Sequence, residues 1–384
     1  MNSEFVHIYG EDTFGIGENI KHSHELPMNV QIEQTSENSD FNPQTQKWFL
    51  KGSTGNGAFC NTYGCSSEFD QTLENSKIVA KVANRTNIKH RDALEYEIEI
   101  IKDLKHPNIV TVITAFTAPN HKVLLLERCD DGDMFTLRDT LGCFASSFVK
   151  YAYKQVGLGI QYLHSINIVH RDIKPGNILI HGYQKSKFRY LACAEYESPE
   201  NVLNITGGAS IDEVLKKMEN TNPLVKICDY GFACKLGKHM CIDRVGSTSY
   251  MAPEMIRDTD KMIKTEFYNE NYKYKKRYVM LDYEPSYKET YMQNCMKIDV
   301  WSFGASIYAS IFRDGPFDFK NSIIKTEKRI LENTYEFPKT RYINGENVEY
   351  VPDDSLKDLL DKIFIKDPNS RIGLDEVLNH NYFQ

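Results

Sequence analysis

The densest chemical signal in the chain is His170-Arg171-Asp172-Ile173-Lys174-Pro175-Gly176-Asn177. It sets a carboxylate, an ammonium two residues on and a carboxamide five residues on within one short stretch. A held carboxylate can orient a hydroxyl and accept its proton, and a neighbouring cation can neutralise developing charge. Six fixed positions of the form HRDxKPxN arise by chance in a chain this long with a probability of roughly 10⁻⁵. Asp229, in Asp229-Tyr230-Gly231, follows the strand-like run Val225–Cys228. Earlier in the chain, Gly55-Asn56-Gly57-Ala58-Phe59 has glycines that let backbone amides approach phosphate oxygens without a Cβ clash. Lys81 follows Gly57 by 24 residues, and Glu97 lies nine residues before His106. Taken singly, several of these have plainer readings. A glycine cluster or Asp-x-Gly fits a turn, a strand lysine fits a solvated edge, and Glu97 fits a surface row with Glu95 and Glu99.

The elements that must position these groups change character along the chain. Residues 1–47 include a polar stretch, 31–46, that has little to bury and reads as a flexible arm. Apolar patterning begins at Trp48-Phe49-Leu50, and Ile78–Val82 is a β-type run carrying Lys81. From Arg91 to Lys105 the spacing of Leu94, Ile98, Ile101 and Leu104 predicts a helix, stopped by His106-Pro107. That stripe lets Glu97 point inward. Short runs at Ile109–Val112 and Val123–Leu126 predict strands about a Pro119-Asn120 turn. Beyond Gly132 helices dominate, with positions 148, 149, 152, 156, 160 and 163 forming one apolar stripe. Residues 181–223 and 259–293 exceed ordinary connection lengths and read as insertions.

Together these motifs resemble the eukaryotic-type serine/threonine protein kinase family over about residues 48–383. The resemblance implies an α+β, bilobal protein kinase-like fold, with a small β-rich N-lobe (48–128), a larger helical C-lobe (129–383) and a flexible N-terminal extension (1–47). It implies ATP and Mg²⁺ as cofactors and transfer of the γ-phosphoryl group to serine or threonine hydroxyls of protein substrates. Asp172 matches the catalytic base, and Lys174 the cation on the γ-phosphate. Lys81 matches the lysine on the α and β phosphates, and Glu97 its carboxylate partner. Asn177 and Asp229 match the metal ligands. Gly55, Gly57, Ala58, Phe59, Thr62, Ala80, Glu127, Cys129 and Leu179 match the nucleotide-binding surface. Cys60 and Thr62 depart from the family's third glycine and valine, and Tyr230 gives DYG where DFG is usual. Glu254 of Ala252-Pro253-Glu254, Arg371 and Asp299 match architectural positions. His170 and Tyr230 match part of a hydrophobic column, and Leu126 the gatekeeper.

The resemblance also bears on control. Arg171 marks relatives whose activation segment is held by an anion, yet residues 231–245 contain no Ser, Thr or Tyr. Asp243 falls where relatives carry a phosphorylated threonine and is expected to supply a fixed charge. Ser247 matches the residue that contacts Asp172 and Lys174. Phe232 resembles kinases that prefer serine. Asp130, Asp131 and Asp133 could attract a basic residue near the phosphosite, or form a solvated acidic turn. The alternative function is a pseudokinase or scaffold that docks partners through its insertions.

Composition sets outer bounds. The chain has 384 residues, 46 Lys and Arg against 53 Asp and Glu, and a net charge of -7. That balance argues against a nucleic-acid partner, which needs a basic face. No run reaches the roughly 18 apolar residues of a membrane span. Nine cysteines without a CxxC pair fit neither a zinc ribbon nor a complete disulfide framework. The expectation is an intracellular protein, cytoplasmic or nuclear, of undetermined oligomeric state.

Overall fold

β-branched and aromatic residues dominate the first strands, and leucine and isoleucine at helical spacing dominate later segments. The computed structural model follows that division. It describes residues 6–7, 30–35, 45–56, 60–67, 77–84, 86–118, 120–129, 131–181, 225–237, 244–257, 285–319, 322–343 and 346–384, with isolated positions at 192, 209, 213–214 and 241. The chain divides into two units, Met1–Lys105 with Val110–Asp130, and His106–Ile109 with Asp131–Gln384.

In the first unit, seven strands make one sheet: β1 (Val6–His7), β2 (Val30–Thr35), β3 (Thr45–Asn56), β4 (Asn61–Ser67), β5 (Ile78–Asn84), β6 (Val112–Thr117) and β7 (His121–Glu127). Their order is β1-β2-β3-β4-β5-β7-β6, antiparallel except for the β1–β2 pair. One face buries Trp48, Leu50, Tyr63, Ala80, Val82, Phe116, Val123 and Leu125 as a core. Register places Thr62 opposite both Gly55 and Lys81. The sheet's single described helix, α1 (Ile88–Ile101), starts where the Asn87 side chain accepts the His90 N–H. It buries Leu94, Tyr96, Glu97, Ile100 and Ile101.

Three expectations shift here. The arm predicted over 31–46 overlaps β2, which pairs residue by residue with β3 from Val30↔Leu50 to Thr35↔Thr45. Strand pairing runs through the backbone, so polar composition does not prevent it. The helix over 91–105 begins three residues earlier and ends at Ile101, ahead of the turn that precedes Pro107. Of the run 109–112, only Val112 joins a strand of this sheet; Ile109 instead bridges Ile227 in the second unit.

The second unit is mainly helical, as the resemblance implies. Its helices are α2 (Met134–Leu141), α3 (Ser146–Ser165), α4 (Pro253–Arg257), α5 (Pro285–Phe312), α6 (Ile323–Glu332), α7 (Asp354–Ile363) and α8 (Leu374–Leu378). All six apolar positions predicted on α3 are buried. Short antiparallel pairs join β8 (Ile168–Val169) to β11 (Cys234–Lys235), and β9 (Ile178–Ile180) to β10 (Val225–Ile227). A further hairpin pairs β12 (Thr340–Ile343) with β13 (Glu346–Glu349). Asn108 ties this unit's core by donating to Gln155 Oε1 and to the Val225 carbonyl.

Most of the 181–223 segment lies outside the described residues. Ala192 within it is fully buried, and its carbonyl accepts the Ala145 N–H at 2.7 Å. The last nine positions of the expected 259–293 insertion belong to α5 instead. Cys234 and Cys241 form a disulfide. Among the described residues, no helix is long and apolar enough to cross a membrane.

Candidate active site

The first unit carries a buried charge pair. Lys81 on β5 reaches Glu97 on α1, Nζ to Oε1 2.6 Å, with side-chain exposures of 16% and 5%. Leu94 and Ile101 turn this face of α1 into the unit, and Glu97 goes with them. Such a pair is held at the cost of desolvation, and removing either partner strands a charge. Ala80, one residue before, is fully buried. Glu127, at the end of β7, is tied to Thr111 twice: its Oε1 accepts the Thr111 N–H, and its own N–H donates to the Thr111 carbonyl. Cys129 is half-buried. Gly55 lies in β3, while Gly57, Ala58 and Phe59 fall outside the described residues.

The second unit holds the other group. Asp172 is 2% exposed, and three donors fix its carboxylate. Lys174 Nζ donates to Oδ2 at 2.7 Å, Asn177 Nδ2 to the same oxygen at 2.9 Å, and the Ser247 N–H to Oδ1 at 2.8 Å. Lys174 also donates to Ser247 Oγ at 2.7 Å. Asn177 Nδ2 further donates to the Asp172 carbonyl at 2.9 Å. Both amide hydrogens are thereby spent on Asp172, which leaves Oδ1 as the coordinating atom of Asn177. Leu179 sits in β9 opposite Lys226. Asp229, two residues past β10, takes a left-handed backbone with φ 63°.

The loop carrying Asp172 is anchored from beneath by Asp299 on α5, which is fully buried. Asp299 accepts the N–H groups of His170 (2.9 Å) and Arg171 (2.8 Å), and His164 Nε2 at 2.9 Å. Burial pushes the Asp299 carboxyl up, but the hydrogen bond from His164, the His164 and His170 rings nearby and the His170 N–H outweigh it and hold it below its usual range. Arg171 has φ 66°, a costly conformation for a side chain with a Cβ, and the two Asp299 bonds at this corner offset it. Its Nε donates to the Phe232 carbonyl at 2.7 Å. His170 donates from Nε2 to the Cys228 carbonyl, accepts the Asp172 N–H at Nδ1, and packs edge-on to Tyr230 at 4.9 Å. The extra hydroxyl of Tyr230 is buried and finds the Ile227 carbonyl at 3.4 Å, a weak bond that meets its need.

Further architectural matches fall into place. Arg371 clamps Glu254 through two bonds, at 2.7 and 2.9 Å, and stacks over Trp301. Asp133 caps α2, accepting the Thr136 N–H and hydroxyl, both at 2.8 Å; of the two readings of that acidic turn, this is a structural use. Asp130 and Asp243 lie outside the described residues. Two functional positions carry no signal of their own in the sequence. His164 stands one residue past the apolar stripe of α3 and holds Asp299. Gly246 (φ 95°) would, with a Cβ, sit 2.6 Å from the Arg171 carbonyl.

The family model for the protein kinase domain matches residues 49–270 and 289–383. The chain belongs to the protein kinase domain family. The probable serine/threonine-protein kinase fhkD of Dictyostelium discoideum is 26% identical over 344 residues, 88% of this chain and 37% of the relative. The DNA damage response protein kinase DUN1 of Saccharomyces cerevisiae is 28% identical over 298 residues, 75% of this chain and 45% of the relative. Myosin light chain kinase A of Dictyostelium discoideum is 25% identical, covering 87% of each. The chain thus spans under half the length of the first two.

Proposed function

We propose that the chain transfers the γ-phosphoryl group of ATP to serine or threonine hydroxyls of proteins, with Asp172 as catalytic base. The observation that carries this reading is the three-donor clamp on Asp172. A carboxylate fixed by Lys174, Asn177 and the Ser247 N–H has its lone pairs aimed before substrate arrives, so little reorganisation remains at the moment of reaction. Asp172 orients the incoming hydroxyl and takes its proton. Lys174, a quarter exposed, meets the charge that moves onto the transferred phosphoryl. Lys81, held by Glu97, positions the α and β phosphates, and Gly55, Thr62, Ala80, Glu127 and Cys129 contribute to the nucleotide surface.

The donor set suits a magnesium ion. Asn177 Oδ1 and the Asp229 carboxylate, both hard oxygens, would hold it. Bound magnesium supplies charge neutralisation across the phosphates. Nothing observed favours a scaffold without catalysis, since Lys81, Glu97, Asp172, Lys174 and Asn177 each keep the partner that chemistry needs.

The test is Asp172→Ala. Turnover should fall by about 10² to 10⁴ while ATP affinity, read by nucleotide fluorescence, stays within a fewfold. Equal labelling of an acceptor peptide by both forms would refute the assignment.

A further inference from the structure

We infer that Cys234 and Cys241 are a redox-modification site whose disulfide locks the segment after Asp229-Tyr230-Gly231 in its catalytically competent arrangement. The inference rests on the kinase reading of Asp172. The bridge joins Cys234 on β11 to Cys241, with the Cα atoms 6.1 Å apart, inside the range of ordinary disulfides. At one end, Cys234 pairs with Val169 on β8, the residue before His170. At the other, the Cys241 N–H donates to the Tyr291 hydroxyl on α5 at 2.7 Å. Both sulfurs lie in one buried cluster with Val169, Leu236 and Cys295. The bond therefore ties the segment to the strand leading into the catalytic loop and to the helix that carries Asp299.

Two further observations give the bond a purpose. Residues 231–245 hold two cysteines and no Ser, Thr or Tyr, so a sulfur bridge is available there and hydroxyl phosphorylation is not. In the bridged state, the Ser247 N–H reaches Asp172 and Arg171 reaches Phe232, so the competent arrangement coexists with the bond. Cys295, the third sulfur of the cluster, lies on α5 outside the bridge.

The chemistry balances with hydrogen peroxide as oxidant. One thiolate attacks a peroxide oxygen, the O–O bond breaks, and the released hydroxide takes a proton to leave as water. The second sulfur then attacks the sulfenic acid, forming S–S and expelling another water. Two electrons pass from the two sulfurs to the peroxide.

The experiment compares the full chain after peroxide and after dithiothreitol, alongside Cys241→Ala and Cys295→Ala. It reads alkylated thiols by peptide mass, tryptic cleavage after Arg244, and turnover on a serine peptide. Oxidation should link the peptides holding Cys234 and Cys241 and slow cleavage. Reduction, or Cys241→Ala, should restore cleavage and lower turnover by roughly tenfold, as the freed ring regains its entropy. Cys295→Ala should behave as the unmodified chain. Free thiols after peroxide, or equal cleavage and turnover in both redox states, would overturn the inference. Inactivity in every form would count against the Asp172 assignment, and the cleavage comparison would then decide the bridge's role.

Discussion

Gly246 occupies a space that no other residue could take. A Cβ there would meet the Arg171 carbonyl at 2.6 Å and Asp172 Oδ1 at 3.2 Å, on a backbone with φ 95°. Gly246→Ala should push Ser247 off Asp172 and lower kcat by roughly 10², with circular dichroism unchanged and the unfolding midpoint lowered only by the strain of a side chain at positive φ. Wild-type turnover in that variant would mean the Ser247 contact is dispensable. The polar residues around Asp172 were legible in the sequence because their chemistry fixes both type and spacing. Gly246 was not, because its requirement comes from a carbonyl 75 positions away. His164 was hidden for the same reason: its partner Asp299 lies 135 positions on, and an apolar stripe masks a single polar end.

At the level of elements, Arg371 joins α4 to the turn before α8. It is fully buried and gives Glu254 two bonds, with others to the carbonyls of Lys297 and Ile365. Arg371→Ala leaves Glu254 uncompensated and should cost about 3–5 kcal/mol in denaturant unfolding. Arg371→Lys should recover only part, since an ammonium cannot match the fork; full recovery would show that charge alone suffices. Element types read well from periodicity, as the six buried positions of α3 demonstrate. Boundaries read less well. β2 forms on backbone pairing that composition does not encode, and α1 ends where a turn, not an apolar residue, decides. The Cys234–Cys241 pairing was also beyond sequence, because seven other cysteines competed for the same count.

Across the whole molecule, acid should weaken the two units in turn. His121, buried in the first, is pushed down to about 4 from 6.5 by burial. A lowered folded value means its contribution is complete above pH 6.5 and is lost as pH falls toward 4, amounting to about 3 kcal/mol. Asp299, in the second unit, lies below its ordinary 3.8, so its contribution is complete above that value and fails only in stronger acid. Denaturant midpoints between pH 7 and 4.5 should fall, and His121→Phe should flatten that slope; an unchanged slope would assign it elsewhere. The two-unit division was legible from the shift in composition near Gly132, because sheets and helices bury different patterns. The central claim, that Asp172 directs phosphoryl transfer to serine or threonine, is tested most directly by phosphoamino-acid analysis of an acceptor protein incubated with labelled ATP and magnesium. Label on phosphoserine or phosphothreonine that disappears with Asp172→Ala is the predicted result. Label that persists in that variant, or none with the intact chain, would contradict it.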